Sequence, residues 1–148
     1  MRYTRETVQL ALLVVLVLLA AGCAPSDKMP QLVDTAWVLT WLDDSSPIDG
    51  TQVTLQFKAE YLSGTMGCNN YGGGPDSGGY TASGDGTFTV SRPFAVTVQL
   101  CSEPEGIMDQ ETVYIEALLD ASEYRVVDDL LELIDEDGEV RLVFARAE

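Results

Sequence analysis

The chain contains no histidine, and it sets 8 lysines and arginines against 24 aspartates and glutamates. Without an imidazole, neither a Ser-His-Asp nor a Cys-His arrangement can be assembled. A zinc site loses its commonest nitrogen ligand, and three cysteines cannot complete an all-sulfur site. No metal and no cofactor is therefore expected. A net charge of −16 opposes binding to nucleic acid, whose affinity is dominated by a phosphate term that here is repulsive, and equally opposes an anionic lipid face. Carboxylates alone can do acid–base chemistry, as in glycosidases. With 24 of them in 148 residues, chance proximity of two carries no information, and an enzyme is not expected.

The N-terminus has the layout of a secretory signal: Arg2 and Arg5, then an apolar run from Val8 to Ala21. That run is shorter than the about 20 residues a spanning helix needs. Ala20, Ala21 and Gly22 directly precede Cys23, and "LAAGC" resembles the bacterial lipobox, in which the cysteine is lipidated and becomes the new N-terminus. The expected organisation is a lipoprotein signal peptide at 1–22, a proline-containing tether at 23–33 and one domain at 34–148. Acyl chains on Cys23 would hold the protein on a membrane, in the cell envelope on the extracytoplasmic side. A monomer that contacts another envelope protein is expected.

From Asp34 the pattern is that of strands. "TAWVLTWL" is β-branched and aromatic, and "TQVTLQF" alternates strictly, with Val53, Leu55 and Phe57 on one face. "YLSGTMG" reads as its hairpin partner, and "GTFTVS" and "FAVTVQL" as two more strands. The period then changes: Ile107, Tyr114 and Leu118, with Met108, Ile115 and Leu119, form a helical stripe. Ser102 and Glu105 have the spacing of a capping box, and Pro104 suits a first turn. "EYRVV", "LLELI" and "EVRLVFA" return to strand, the last two joined by "DEDG" with glycine placed for a positive φ. The expected fold is mainly β or α+β: an antiparallel, strongly curled or barrel-like sheet with one α-helix near the C-terminal third.

With these elements placed, the chain resembles the META domain family, the HslJ-like bacterial envelope proteins, over about Asp34 to Ala145. The resemblance rests on an ordered set: Trp37 and Leu39, "GCNNY" from Gly67 to Tyr71, Cys101, the acidic helix, Asp129-x-Leu131-x-Leu133, and a final strand ending in Phe144. It departs from the family where "GGGPDSGG" lengthens the path from Tyr71 to Tyr80, and where "TVQLC" precedes the second cysteine. The resemblance implies a small β domain packed with one helix, often secreted or lipid-anchored, with links to stress resistance. It implies no chemistry by itself.

If Cys23 is lipidated, Cys68 and Cys101 remain as an even pair in an oxidising compartment, and a disulfide is the direct reading. Two buried free thiols are the alternative; a reactive thiol would need a base or cation that the chain scarcely provides. "DEDGEVRLVFAR" offers Asp135, Asp137 and Glu139 but ends on Arg146 where an EF-hand needs glutamate, so it reads as a hairpin turn. The glycine-rich "YGGGPDSGGYTASGDG" lacks the lysine of a phosphate loop. The tryptophans and Tyr61, Tyr71, Tyr80 and Tyr114 line either a groove or the core. Asn69, Asn70, Tyr71 and Tyr80, on the glycine-rich 68–80 loop, form the candidate binding surface, for a small ligand or peptide, or for an envelope enzyme that the module inhibits, if not for another envelope protein.

Overall fold

The computed structural model describes residues 31–148; the expected signal segment, Cys23 and most of the tether lie outside the described residues. Strands β1 (Ala36–Leu42), β2 (Thr54–Phe57), β3 (Leu62–Thr65) and β4 (Asn70–Gly72) follow one another, then a short hairpin of β5 (Tyr80–Ala82) and β6 (Phe88–Val90). Helix α1 (Ile107–Asp120) precedes β7 (Glu123–Val127), β8 (Leu130–Ile134) and β9 (Val140–Arg146). Seven strands make one antiparallel sheet in the order β4-β3-β2-β1-β9-β8-β7.

The sheet is curled but open, and the β5–β6 hairpin reaches both sides of the opening. At one side the Leu62 N–H donates to the Gly78 carbonyl at 2.8 Å; at the other Phe88 N–H meets Ser122 O at 2.8 Å and Tyr124 N–H meets Gly86 O at 2.7 Å. Side chains that alternate in sequence fill the interior: Val53, Leu55, Phe57, Leu131, Leu133, Leu142 and Phe144 are all buried. This is the mainly antiparallel β domain with one late helix that the periodicities indicate. Leu32, assigned to the tether, is buried in the same core, because an apolar side chain next to β2 gains more from packing than from water.

Three local expectations are corrected. Trp37 is buried but Trp41 is exposed, because the β1–β9 register shifts between Leu39 and Trp41. That bulge inserts a residue, reverses the alternation and turns Leu42 inward instead. The Ser102–Glu105 capping box does not form: the helix starts from Gly106 in the left-handed region (φ 84°), with no side-chain cap. "FAVTVQL" is not a full strand, for reasons given below.

The glycine opposite Tyr71 is required. In the β3–β4 ladder Gly64 pairs with Tyr71, and a Cβ at Gly64 would stand 1.9 Å from the Thr54 carbonyl oxygen and 2.6 Å from the Tyr71 hydroxyl. The space a side chain would occupy is taken by the Thr54 backbone and the Tyr71 hydroxyl that bonds to it.

Candidate functional site

The "GCNNY" corner, with α1 and the segment 94–101, forms a single polar knot. Glu111 lies on the buried face of α1, only 4% exposed. Its Oε1 accepts the Cys68 N–H at 2.8 Å and the Asn69 N–H at 2.5 Å, and its Oε2 accepts Asn69 Nδ2 at 2.7 Å. Burying a carboxylate is tolerable only when its lone pairs are used, and here the backbone of the corner uses them.

Asn69 passes the connection on. Its Oδ1 accepts the Gln99 N–H at 2.7 Å and the Thr97 hydroxyl at 2.9 Å, while Nδ2 also donates to the Gln99 carbonyl at 3.0 Å. The side-chain amide thus pairs with both main-chain groups of Gln99, as a neighbouring strand would. Just before it, the chain pairs with β4 proper: Gly72 N–H to Ala95 O, and Thr97 N–H to Asn70 O, both 2.9 Å. The Asn70 N–H goes to the Thr97 hydroxyl at 3.0 Å. Side chains therefore replace half the ladder, and only a single bridge, Val96 to Tyr71, remains where a strand was expected. A disulfide joins Cys68 to Cys101 with Cα atoms 6.2 Å apart, so residues 94–101 form a strap bound at both ends.

Two of the four expected surface residues are interior. Asn69 and Tyr71 are both buried; Asn70 is exposed, and Tyr80 is half-buried against Phe57 with ring centroids 5.1 Å apart. A glycine-rich stretch reads as surface, but the Tyr71 hydroxyl has partners inside: it donates to Thr54 O at 2.7 Å and lies 2.6 Å from the Tyr114 hydroxyl. Phe94 stacks on the Tyr71 ring at 5.5 Å. Gln110 closes the other flank, accepting the Ile48 N–H at 2.7 Å.

What the strap leaves outside is apolar. Val98 and Leu100 are 93% and 91% exposed. With Val96 they form one wall of a groove of about 340 Å³, whose other wall is Met108, Thr112 and Ile115 of α1. The sequence carried two signals for this site. No charged residue occurs from Pro93 to Ser102 in a strongly acidic chain, and Glu111 falls in the buried helical register of Ile107, Tyr114 and Leu118.

A second depression of about 630 Å³ lies between the end of α1 and the β8–β9 turn, with Asp120, Asp135, Glu136, Asp137 and Arg141 in its lining. Asp135 is committed to the turn, accepting the Asp137 and Glu139 N–H groups at 3.0 and 2.9 Å. Those bonds, Glu139 first, hold its carboxyl below the usual range. A general acid requires the opposite displacement.

The two buried tyrosines give a pH prediction. Burial raises both Tyr71 and Tyr114 above the ordinary 10.0; the contact with Tyr114 adds to the rise at Tyr71, whereas the hydrogen bond to Tyr71 acts against it at Tyr114. The unfolded chain then ionises first, so stability is complete below about pH 10 and falls as pH rises beyond it. Denaturant midpoints measured between about pH 9 and about pH 11 should decline steeply, and less so for Tyr71→Phe/Tyr114→Phe. Equal slopes for the two proteins would refute the assignment.

The profile of the META domain matches residues 30–148. The chain belongs to the META domain family. An NMR structure of a protein from Burkholderia xenovorans is similar to this META domain with a TM-score of 0.63 and 26% identity, over 86% of this chain and 94% of that one. A second protein solved by NMR shares the fold with a TM-score of 0.59 and 20% identity, over 78% and 91% of the two chains. No curated protein matches the chain. Among the described residues, no helix is long and apolar enough to cross a membrane.

Proposed function

We propose that this META domain is a lipid-anchored, non-catalytic binding module of the cell envelope, serving stress tolerance or envelope maintenance through protein contacts made by the strap–helix groove. One observation carries the reading: Val98 and Leu100, 93% and 91% exposed, are held out on a strap fixed by a disulfide and by the Asn69 amide. A rigid scaffold presenting apolar side chains to water is the anatomy of a recognition surface. The chemistry-bearing groups nearby are already spent on the scaffold, since Glu111 and Asn69 use their oxygens to hold backbone. The anchor rests on the "LAAGC" of Leu19 to Cys23.

Two variants of the full chain test this in its native host. Cys23→Ser should move the protein out of the membrane fraction; unchanged partitioning removes the anchor from the proposal. Val98→Asp/Leu100→Asp should remain folded and membrane-bound, yet fail to restore a deletion strain's growth under envelope stress. Full restoration would remove the groove from it.

A further inference from the structure

The strap has an inner and an outer edge, and only the inner edge is paired. Ala95, Thr97 and Gln99 turn their main-chain groups toward β4 and Asn69. In an extended chain, successive residues point those groups to opposite sides, so Val96, Val98 and Leu100 turn theirs outward. Among the described residues, the N–H and carbonyl groups of Val98 and Leu100 have no hydrogen-bond partner. Proteins ordinarily protect such an edge with a charge, a proline or a covering element. Here Val96 to Leu100 carries none of the first two, and its Val96, Val98 and Leu100 also line the groove against α1.

We propose that the groove binds an extended peptide segment of a partner protein, which adds as a strand to the outer edge of Val96–Leu100 and lays alternate apolar side chains between the strap and α1. This rests on the binding-module reading above and names its partner class. Three features select that occupant. Open main-chain donors and acceptors call for another main chain, which neither a lipid nor a compact apolar ligand supplies. Val96, Val98, Met108 and Ile115 call for aliphatic or aromatic side chains at every second position. The ionisable groups in the lining are Glu111 and Glu116, both acidic, in a chain of net charge −16; the segment is therefore neutral or basic around its apolar positions.

The test uses a set of synthetic octapeptides in which valine, leucine or phenylalanine alternates with lysine or threonine, titrated against the oxidised domain with its disulfide intact. Val98→Pro removes the outward N–H while leaving the inward bonds of Thr97 and Gln99, and φ near the proline value suits extended chain. Val98→Thr keeps the N–H and the shape. The expected result is binding that Val98→Pro weakens about tenfold or more and Val98→Thr by about threefold at most, the worth of one or two main-chain hydrogen bonds. N-methylation of the best peptide at its edge-facing amides should abolish it. Tight binding indifferent to Val98→Pro and N-methylation overturns strand addition but leaves the groove a docking site. Binding of no peptide overturns the inference, and two controls then separate the causes. A dimer broken by Val98→Pro identifies a second copy as the occupant, and adsorption to phosphatidylethanolamine vesicles identifies a lipid surface. If Val98→Asp/Leu100→Asp also restores the deletion strain fully, the binding reading falls with it.

Discussion

Glu111→Ala is expected to cost this domain about 3–5 kcal/mol, a large share of the stability of a domain of this size. The substitution leaves the Cys68 N–H, the Asn69 N–H and one Asn69 Nδ2 hydrogen without their acceptor in a buried site. Each unsatisfied buried donor costs about 1–3 kcal/mol, reduced where water can enter the vacated space. Glu111→Gln separates the carboxylate's roles. One oxygen can still accept both backbone N–H groups, but the new amide meets Asn69 Nδ2 donor to donor. Asn69 cannot turn over, because its Oδ1 already accepts Gln99 N–H and the Thr97 hydroxyl. The glutamine variant should therefore lose less, about 1–3 kcal/mol. In both variants the Gln99 amide should exchange faster than the core amides, since the strap is held through Asn69. Denaturant unfolding with hydrogen exchange checks the order. An alanine variant within about 1 kcal/mol of the wild type would show that the knot is ornamental.

How much of this was readable beforehand follows from the range of each interaction. Val53, Leu55 and Phe57, or Leu142 and Phe144, reveal their strands because a period of two is local. The stripe of Ile107, Tyr114 and Leu118 reveals α1 for the same reason. The failures are non-local. Trp41 leaves the core through a bulge whose cause is the register with β9, about a hundred residues later in the chain. "FAVTVQL" has strand alternation, yet past Thr97 its partner is no longer β4 but a side-chain amide from Asn69, which no pattern within the segment can announce. Asn69 and Tyr71 look like loop-surface residues because polar groups and glycines usually are. They are interior because Glu111 and Tyr114 lie 42 and 43 residues further on and satisfy them. The glycines that made the stretch look mobile are, at Gly64, the room that the Thr54 carbonyl and the Tyr71 hydroxyl bonded to it need. The candidate site thus moved from the loop to the strap which that loop supports.

The disulfide carries the second large effect. Cys68 and Cys101 close a loop with a sequence separation of 33, and in the chain-entropy model such a cross-link is worth about 3–4 kcal/mol through the unfolded state. Cys68→Ala/Cys101→Ala should lower stability by that amount, and reduction of the wild type should bring its denaturant midpoint close to the variant's. Thiol titration of the denatured, unreduced chain should find neither Cys68 nor Cys101 free. The entropic account predicts a loss spread over every core amide, because it acts on the unfolded ensemble. The structure adds a local component: Cys101 ends the strap, and Cys68 is one residue from Asn69, so the bond fixes the distance across which Asn69 clasps Gln99. Losing it should therefore raise exchange at Gln99 beyond the global change. The Glu111 and cysteine losses act on the same corner, and their effects should not add. A Glu111→Gln chain lacking both cysteines should be less stable than either parent but fall short of the sum, since the clasp can be released only once. Strict additivity would mean that the disulfide acts on the unfolded chain alone, and that Glu111 by itself holds the strap.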